Sequence, residues 1–146
     1  MKLRIKGNSL RLRVSRSEVA SLLRRERLEE TIHFAPQANA KLTYALEQSA
    51  SVSALTLQYI QNNVTILMPA DQANTWCDSD QVGIVENVDL GNFGILGVLI
   101  EKDFACLDRN DEENEDMFSN PHAGSTCVDE GTATTVFPTH SQNKGR

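Results

Sequence analysis

Thiol, imidazole and carboxylate side chains occur together in one segment near the end of the sequence, between Cys106 and Cys127. His122 lies five positions before Cys127, and Asp116 ends a run rich in carboxylates. Two sulfurs, one nitrogen and one oxygen form a ligand set that suits tetrahedral Zn²⁺ or a similar divalent ion. One interpretation of the segment is therefore a metal site formed by Cys106, Asp116, His122 and Cys127.

The spacing of these residues favours other interpretations. Cys106 and Cys127 are twenty-one positions apart, and neither belongs to a CxxC pair. Residues 108–119 lack the glycine at position six and the glutamate at position twelve that a calcium-binding EF-hand loop needs. A solvated acidic loop and a redox-sensitive Cys106–Cys127 pair therefore remain open beside the metal site.

Basic side chains alternate with apolar ones along the first fourteen residues and form a second candidate site. Such a face could bind phosphate groups. It carries no aromatic side chain for base stacking, and the chain has a net charge of −6, so we do not expect nucleic acid as a partner. The residues of this basic face are Lys2, Arg4, Lys6, Arg11 and Arg13.

The two ends of the sequence carry opposite charge. Residues 1–27 hold nine basic and two acidic side chains, a net charge of +7, and residues 101–130 hold ten acidic and two basic ones, a net charge of −8. We expect the acidic segment to fold back over the basic face, so that Asp111 to Asp116 meet Arg4, Lys6, Arg11 and Arg13. The residues of the acidic segment are Asp108, Asp111, Glu112, Glu113, Glu115 and Asp116.

The elements that would position these side chains occur twice. Period-two alternation on both sides of residues 7–9 predicts a β-hairpin, and Ser15 with Glu18 predicts a capping box that begins a short helix. Two further strands follow, and an equivalent series begins near residue 55, at an offset of 54 positions. The sequence therefore predicts a ββαββ unit at 2–47 that is duplicated at 55–101.

This pattern predicts an α+β fold of mainly antiparallel strands, in which eight strands form a barrel or a two-layer sheet with two short helices. We expect one β-rich domain over residues 1–107 and an acidic, mostly irregular segment over 108–146. The predicted core comprises Leu3, Ile5, Leu10, Leu12, Val14, Leu57, Tyr59, Val64, Ile66, Trp76, Leu96, Val98 and Ile100.

Composition and motifs exclude several classes of protein. No apolar run is long enough to cross a membrane, and the first residues lack the apolar region of a signal peptide, so we expect a cytoplasmic protein. Three cysteines without a CxxC pair do not form a secreted disulfide framework. Neither GxSxG nor a glycine-rich phosphate loop is present, and nothing in the sequence requires an enzyme.

Four stretches of the sequence resemble an uncharacterised family of small bacterial proteins. They are MKLRIKGNSLRLRVSRSEV at the start, TYALE at 43–47, DQVGI at 80–84 and EKDFACL at 101–107. In the family pattern an acidic segment and an Asn-Pro pair follow the last strand, and Asn120-Pro121 occupies that place here. The resemblance implies a single domain over about 120 residues and no particular chemistry.

The sequence is compatible with two functions. The first is a non-catalytic binding or accessory protein that engages a protein partner through the acidic segment and the basic face. The alternative is a small metalloprotein, with zinc as the candidate ion, that uses residues 106–127. The sequence leaves the partner, any metal and the oligomeric state open.

Overall fold

The computed structural model describes residues 1–105 and 111–121. In this part of the chain, strands and helices follow one another in the predicted order, with one additional short helix at the end. The strands are β1 (Lys2–Ile5), β2 (Ser9–Val14), β3 (Leu28–His33), β4 (Lys41–Ser49), β5 (Thr56–Ile60), β6 (Asn63–Pro69), β7 (Gly83–Asp89) and β8 (Ile95–Lys102). The helices are α1 (Arg16–Leu23), α2 (Ala70–Cys77) and α3 (Asp111–Asn114), and a 3-10 turn spans Gly91–Phe93.

Local sequence signals set the ends of the two longer helices. Ser15 and Glu18 form the predicted capping box: the Ser15 hydroxyl accepts from the Glu18 N–H, and the Ser15 N–H donates to the Glu18 carboxylate at 2.8 Å. Pro69 is the N-cap residue of α2, with an extended ψ of 136°, so α2 begins at Ala70.

The strands form two four-stranded sheets. The first sheet has the order β1-β2-β8-β7, and the second has the order β3-β4-β6-β5. The four hairpin pairings are antiparallel, whereas the two central pairings, β2 with β8 and β4 with β6, are parallel. Of the two predicted architectures, the two-layer arrangement is right and the closed barrel is wrong. The barrel is wrong because, among the described residues, the outer strands of the first sheet (β1 and β7) do not pair with those of the second (β3 and β5).

The two sheets are equivalent at the predicted offset. In the first sheet, Ser9 of β2 is paired with Gly97 of β8. The residues 54 positions away from them, Asn63 of β6 and Thr43 of β4, are paired in the second sheet. The helices α1 and α2 also begin and end 54 positions apart, although β3 and β7 fit an offset of 56. This register supports the predicted duplication, with the hairpins of the two units exchanged between the sheets.

One hydrophobic core lies between the sheets and the helices. It includes Leu12 and Ile100 from the first sheet, Ile66 from the second, and Leu22 and Trp76 from the helices. Of the predicted core residues, those at Leu12, Val14, Ile66, Trp76, Val98 and Ile100 are buried, and Leu3, Leu10, Leu57, Val64 and Leu96 are half-buried.

Two predicted core residues are exposed. Ile5 is 60% exposed and Tyr59 is 63% exposed. They occupy equivalent positions at the offset of 54, on edge strands beside the hairpin turns. The alternation therefore assigns the correct face, but the edge strands run past the region that the core covers.

Within residues 1–105 and 111–121, the helices are all too short or too polar to cross a lipid bilayer.

Candidate functional site: the basic outer face of the first sheet

The basic face lies on the side of the first sheet that faces away from the core. Leu12 and Val14 of β2 are buried, so the alternation of the strand turns Arg11 and Arg13 to the opposite side. Arg4 of β1 is directly opposite Arg11 in the antiparallel register. The predicted grouping of these cations on neighbouring strands is therefore present.

Two carboxylates at the end of β8 neutralise part of this face. Glu101 forms ion pairs with Arg11 Nη2 at 2.6 Å and with Arg13 Nε at 2.7 Å. Burial raises the pKa of Glu101, but the hydrogen bonds from Arg11 and Arg13 outweigh this effect and hold its pKa below the usual value. Asp103 pairs with Lys2 Nζ at 2.6 Å. Both carboxylates precede the acidic segment that was expected to supply these contacts.

Arg4 and Lys6 are not neutralised in this way. In residues 1–105 and 111–121, neither side chain forms an ion pair or a side-chain hydrogen bond. In addition, Arg11 Nε is buried and has no hydrogen-bond partner in the same part of the chain. The face thus keeps positive charge and donor capacity that its own described residues leave unused.

A depression of about 360 Å³ lies open to solvent on this face and is bordered by Arg4, Lys6 and Arg11. Val85, Gly97 and Leu99, which belong to the neighbouring strands β7 and β8, form its apolar floor. Val85 is 72% exposed, so the part of the floor that β7 contributes is open to solvent. The site therefore combines an apolar surface with adjacent positive charge.

The second sheet provides an internal comparison for this face. At the offset of 54, its equivalent positions carry neutral side chains and no basic ones. They are Thr56, Gln58, Ile60, Thr65 and Leu67. The same strand pairing forms without charges at these positions, so the scaffold itself does not require the basic face.

Asp116 of the acidic segment contacts the beginning of α1 and not the basic face. Its Oδ2 accepts hydrogen bonds from the hydroxyls of Ser15, at 2.7 Å, and Ser17, and its Oδ1 accepts from the Ser17 N–H at 2.9 Å. The hydrogen bonds from the Ser15 and Ser17 hydroxyls lower the pKa of Asp116. The free N–H groups at the beginning of α1 attract a carboxylate, which explains why Asp116 lies there and not on Arg4 or Arg11.

The remaining described part of the acidic segment lies near the first strand. Glu112 and Glu115 are exposed and line a surface depression together with Lys2 and Asp103. Phe118 attaches this region to the body of the protein, because its N–H donates to the Asp103 carbonyl at 2.8 Å. The domain boundary at residue 107 and the fold-back of the other acidic residues stay predictions.

The predicted metal site falls largely outside the described residues. Cys106, His122 and Cys127 lie there, as does Asp108, and the side chains of Asp111 and Glu113 are not described either. Across residues 1–105 and 111–121, no group of three histidine, cysteine or acidic side chains is placed to hold a metal ion. The zinc site and the Cys106–Cys127 pair therefore stay predictions from the sequence.

The floor of the depression was not anticipated from the sequence. Alternation along β8 places Gly97 and Leu99 on the outer face, because Val98 and Ile100 are buried. Alternation does not predict which strand lies next to β8. The parallel pairing of β8 with β2 places Leu99 beside Arg11.

Fold and site together define a small two-sheet α+β protein whose first sheet has a basic outer face. The chain belongs to a family of unknown function (DUF7009), whose model matches residues 1–122. This agrees with the expected membership of an uncharacterised family. Comparison with curated proteins and with solved structures finds no match to the chain.

Proposed function

We propose that this protein is a non-catalytic binding protein that engages an acidic protein partner through the basic outer face of its first sheet. The observation that carries the proposal is the pair Arg4 and Lys6, whose charges border an apolar depression and have no counter-ion among the described residues. A bound carboxylate would supply that counter-ion.

The energetics of the sheet support a role for these charges outside folding. Arg4 and Arg11 are directly opposite each other on antiparallel strands, and like charges in that position destabilise a sheet. The equivalent pair in the second sheet, Gln58 and Thr65, has no such repulsion. Charge that costs stability and that the scaffold does not require is typical of a binding surface.

The composition of the face favours a protein partner over nucleic acid. The residues that line the depression include no aromatic side chain on which a base could stack. The acidic segment is proposed as a second contact for basic groups of the same partner, and the bacterial and cytoplasmic setting stays an expectation from the sequence.

A calorimetric titration with poly-glutamate tests this proposal. Full-length protein should bind the polymer at low ionic strength and release it in high salt, because exposed ion pairs are screened. Replacing both Arg4 and Lys6 by Gln should weaken binding by roughly tenfold, since each exposed pair contributes about 0–1 kcal/mol.

The matched control is Lys41→Gln, which removes an exposed basic residue from the second sheet. It should leave binding unchanged. Equal affinity of the wild-type protein and the Arg4, Lys6 double variant would refute the role of the basic face. Tighter binding of single-stranded DNA of matched charge would refute the assignment of a protein partner.

A further inference from the structure

We infer that the depression at Gly97 seats an aliphatic side chain of the partner, so that the ligand is an extended acidic peptide segment with one apolar residue among its carboxylates. This inference rests on the proposed function and adds the chemistry that the partner must have.

The fold does not require glycine at position 97, because the backbone there would accept a larger residue. Its φ is not in the left-handed region, unlike those of Gly7, Gly91 and Gly94. A Cβ at position 97 would meet the Cβ of Ser9 at 3.7 Å and the Oδ1 of Asn87 at 4.0 Å, both ordinary contacts. Glycine inside a strand lowers stability, so a residue of this kind at position 97 is not explained by folding. A ligand that approaches the backbone closely would explain it.

The surface around Gly97 suits an aliphatic group. Leu99 and Val85 are directly opposite each other on β8 and β7, so their side chains form a continuous apolar strip beside the space that Gly97 leaves open. In the second sheet the positions equivalent to Gly97 and Leu99 are Thr43 and Ala45, which are both buried. The open apolar floor is therefore specific to the sheet that carries the basic face.

The cations beside this floor have the spacing of an extended chain. Arg4, Arg11, Leu99 and Val85 form one row across the sheet, which places positive charge on one side of the apolar strip. Lys6 lies just after β1, and its backbone hydrogen bonds with Ser9 continue the pairing of the hairpin. It follows Arg4 by two residues, a separation of about 7 Å in extended structure. Alternate side chains of a bound extended peptide repeat at the same distance, so two carboxylates would match Arg4 and Lys6.

The openness of the site favours a peptide over a small molecule. Sites for small ligands usually bury most of the surface of the ligand inside a concave pocket. The depression at Gly97 is open to solvent on the face of the sheet, and about 360 Å³ is ample for one side chain. A peptide would gain the rest of its contacts from the cations at the border.

Two peptides and two variants test the inference in the full-length protein. One peptide alternates Glu and Ser around a central Leu, and the other has Ser in place of that Leu. The wild-type protein should bind the Leu peptide about tenfold more tightly, which corresponds to partial burial of one leucine side chain. Gly97→Val should abolish this preference and still bind the Leu-free peptide, because the added side chain fills the depression and leaves the cations in place.

Gln58→Val is the matched control, since it adds the same side chain at an exposed strand position of the second sheet. It should retain the tenfold preference, and urea unfolding should give cooperative transitions for both variants. Equal affinity of the wild-type protein for the two peptides, or a preference that persists in Gly97→Val, would overturn the inference and leave the proposed function intact.

Two further outcomes are distinguishable from these. Absence of binding to either peptide would remove the proposed function itself. Displacement of the Leu peptide by octanoate at an equal concentration would overturn the peptide assignment, because the site would then take a small amphipathic anion.

Discussion

Two glycines on neighbouring strands of the first sheet should respond in opposite directions to the same substitution. Gly97→Ala adds a methyl group where the nearest atom, the Cβ of Ser9, is 3.7 Å away. Gly83→Ala adds a methyl group 2.8 Å from the Ile100 carbonyl oxygen and 3.2 Å from the Cβ of Glu101. The first contact is ordinary, and the second requires the backbone of β8 to move.

The expected magnitudes follow from these distances. Removing the conformational freedom of glycine in the unfolded chain stabilises a protein by about 0.4–1 kcal/mol where the fold accepts the methyl group, so Gly97→Ala should raise the free energy of unfolding by that amount. Overpacking typically costs about 1–3 kcal/mol, so Gly83→Ala should lower it. Displacement of Glu101 would also disturb its ion pairs with Arg11 and Arg13, which adds to the loss.

Urea unfolding followed by tryptophan fluorescence measures both changes. Trp76 is the single tryptophan of the chain and is fully buried, so its emission reports the loss of the core. For an m value of about 2 kcal/mol/M, the midpoint should rise by about 0.3 M in Gly97→Ala and fall by about 1 M in Gly83→Ala. Midpoints that move in the same direction would refute the placement of β7 beside β8 in this register.

Two other changes test the core and the contact of the acidic segment. Leu12→Ala and Ile66→Ala, which are equivalent at the offset of 54, should each lower the free energy of unfolding by about 2–5 kcal/mol in the same assay; a loss below about 0.5 kcal/mol would show that the strand faces the wrong way. Asp116→Ala should cost about 1 kcal/mol at neutral pH, because it removes acceptors from Ser15 and Ser17 at the beginning of α1. Since the pKa of Asp116 is lowered from 3.8 in the fold, this contribution is fully present above pH 3.8 and is lost as the pH falls further. A difference between variant and wild type that stays constant from pH 7 to pH 2 would contradict the role of the carboxylate.

Local features of the fold could be predicted because they depend on neighbouring residues. Alternation identified the strands, and the spacing of Ser15 and Glu18 identified the start of α1. The offset of 54 needed only a comparison of the sequence with itself. The exposure of Ile5 and Tyr59 could not be predicted in this way, because it depends on how far the covering elements extend over each edge strand.

The partners of the basic face were harder to predict because they depend on strand register. Counting charges favoured the densest acidic run, whereas the structure pairs Arg13 with Glu101 directly across β2 and β8. These two residues are eighty-eight positions apart in the sequence. Alternation predicts which side of a strand a residue occupies, but it does not predict which strand lies next to it. The same missing information concealed the floor formed by Val85 and Leu99.

The exchange of hairpins between the two halves determines an order of folding during synthesis. The second sheet consists of β3, β4, β5 and β6, so all of its strands have been made once the chain reaches Pro69. The first sheet needs β8, so the hairpin of β1 and β2, made first, waits without its parallel neighbour until Lys102 has emerged. Because such distant contacts close late and slowly, we expect the second sheet to act as the template on which the basic face is assembled.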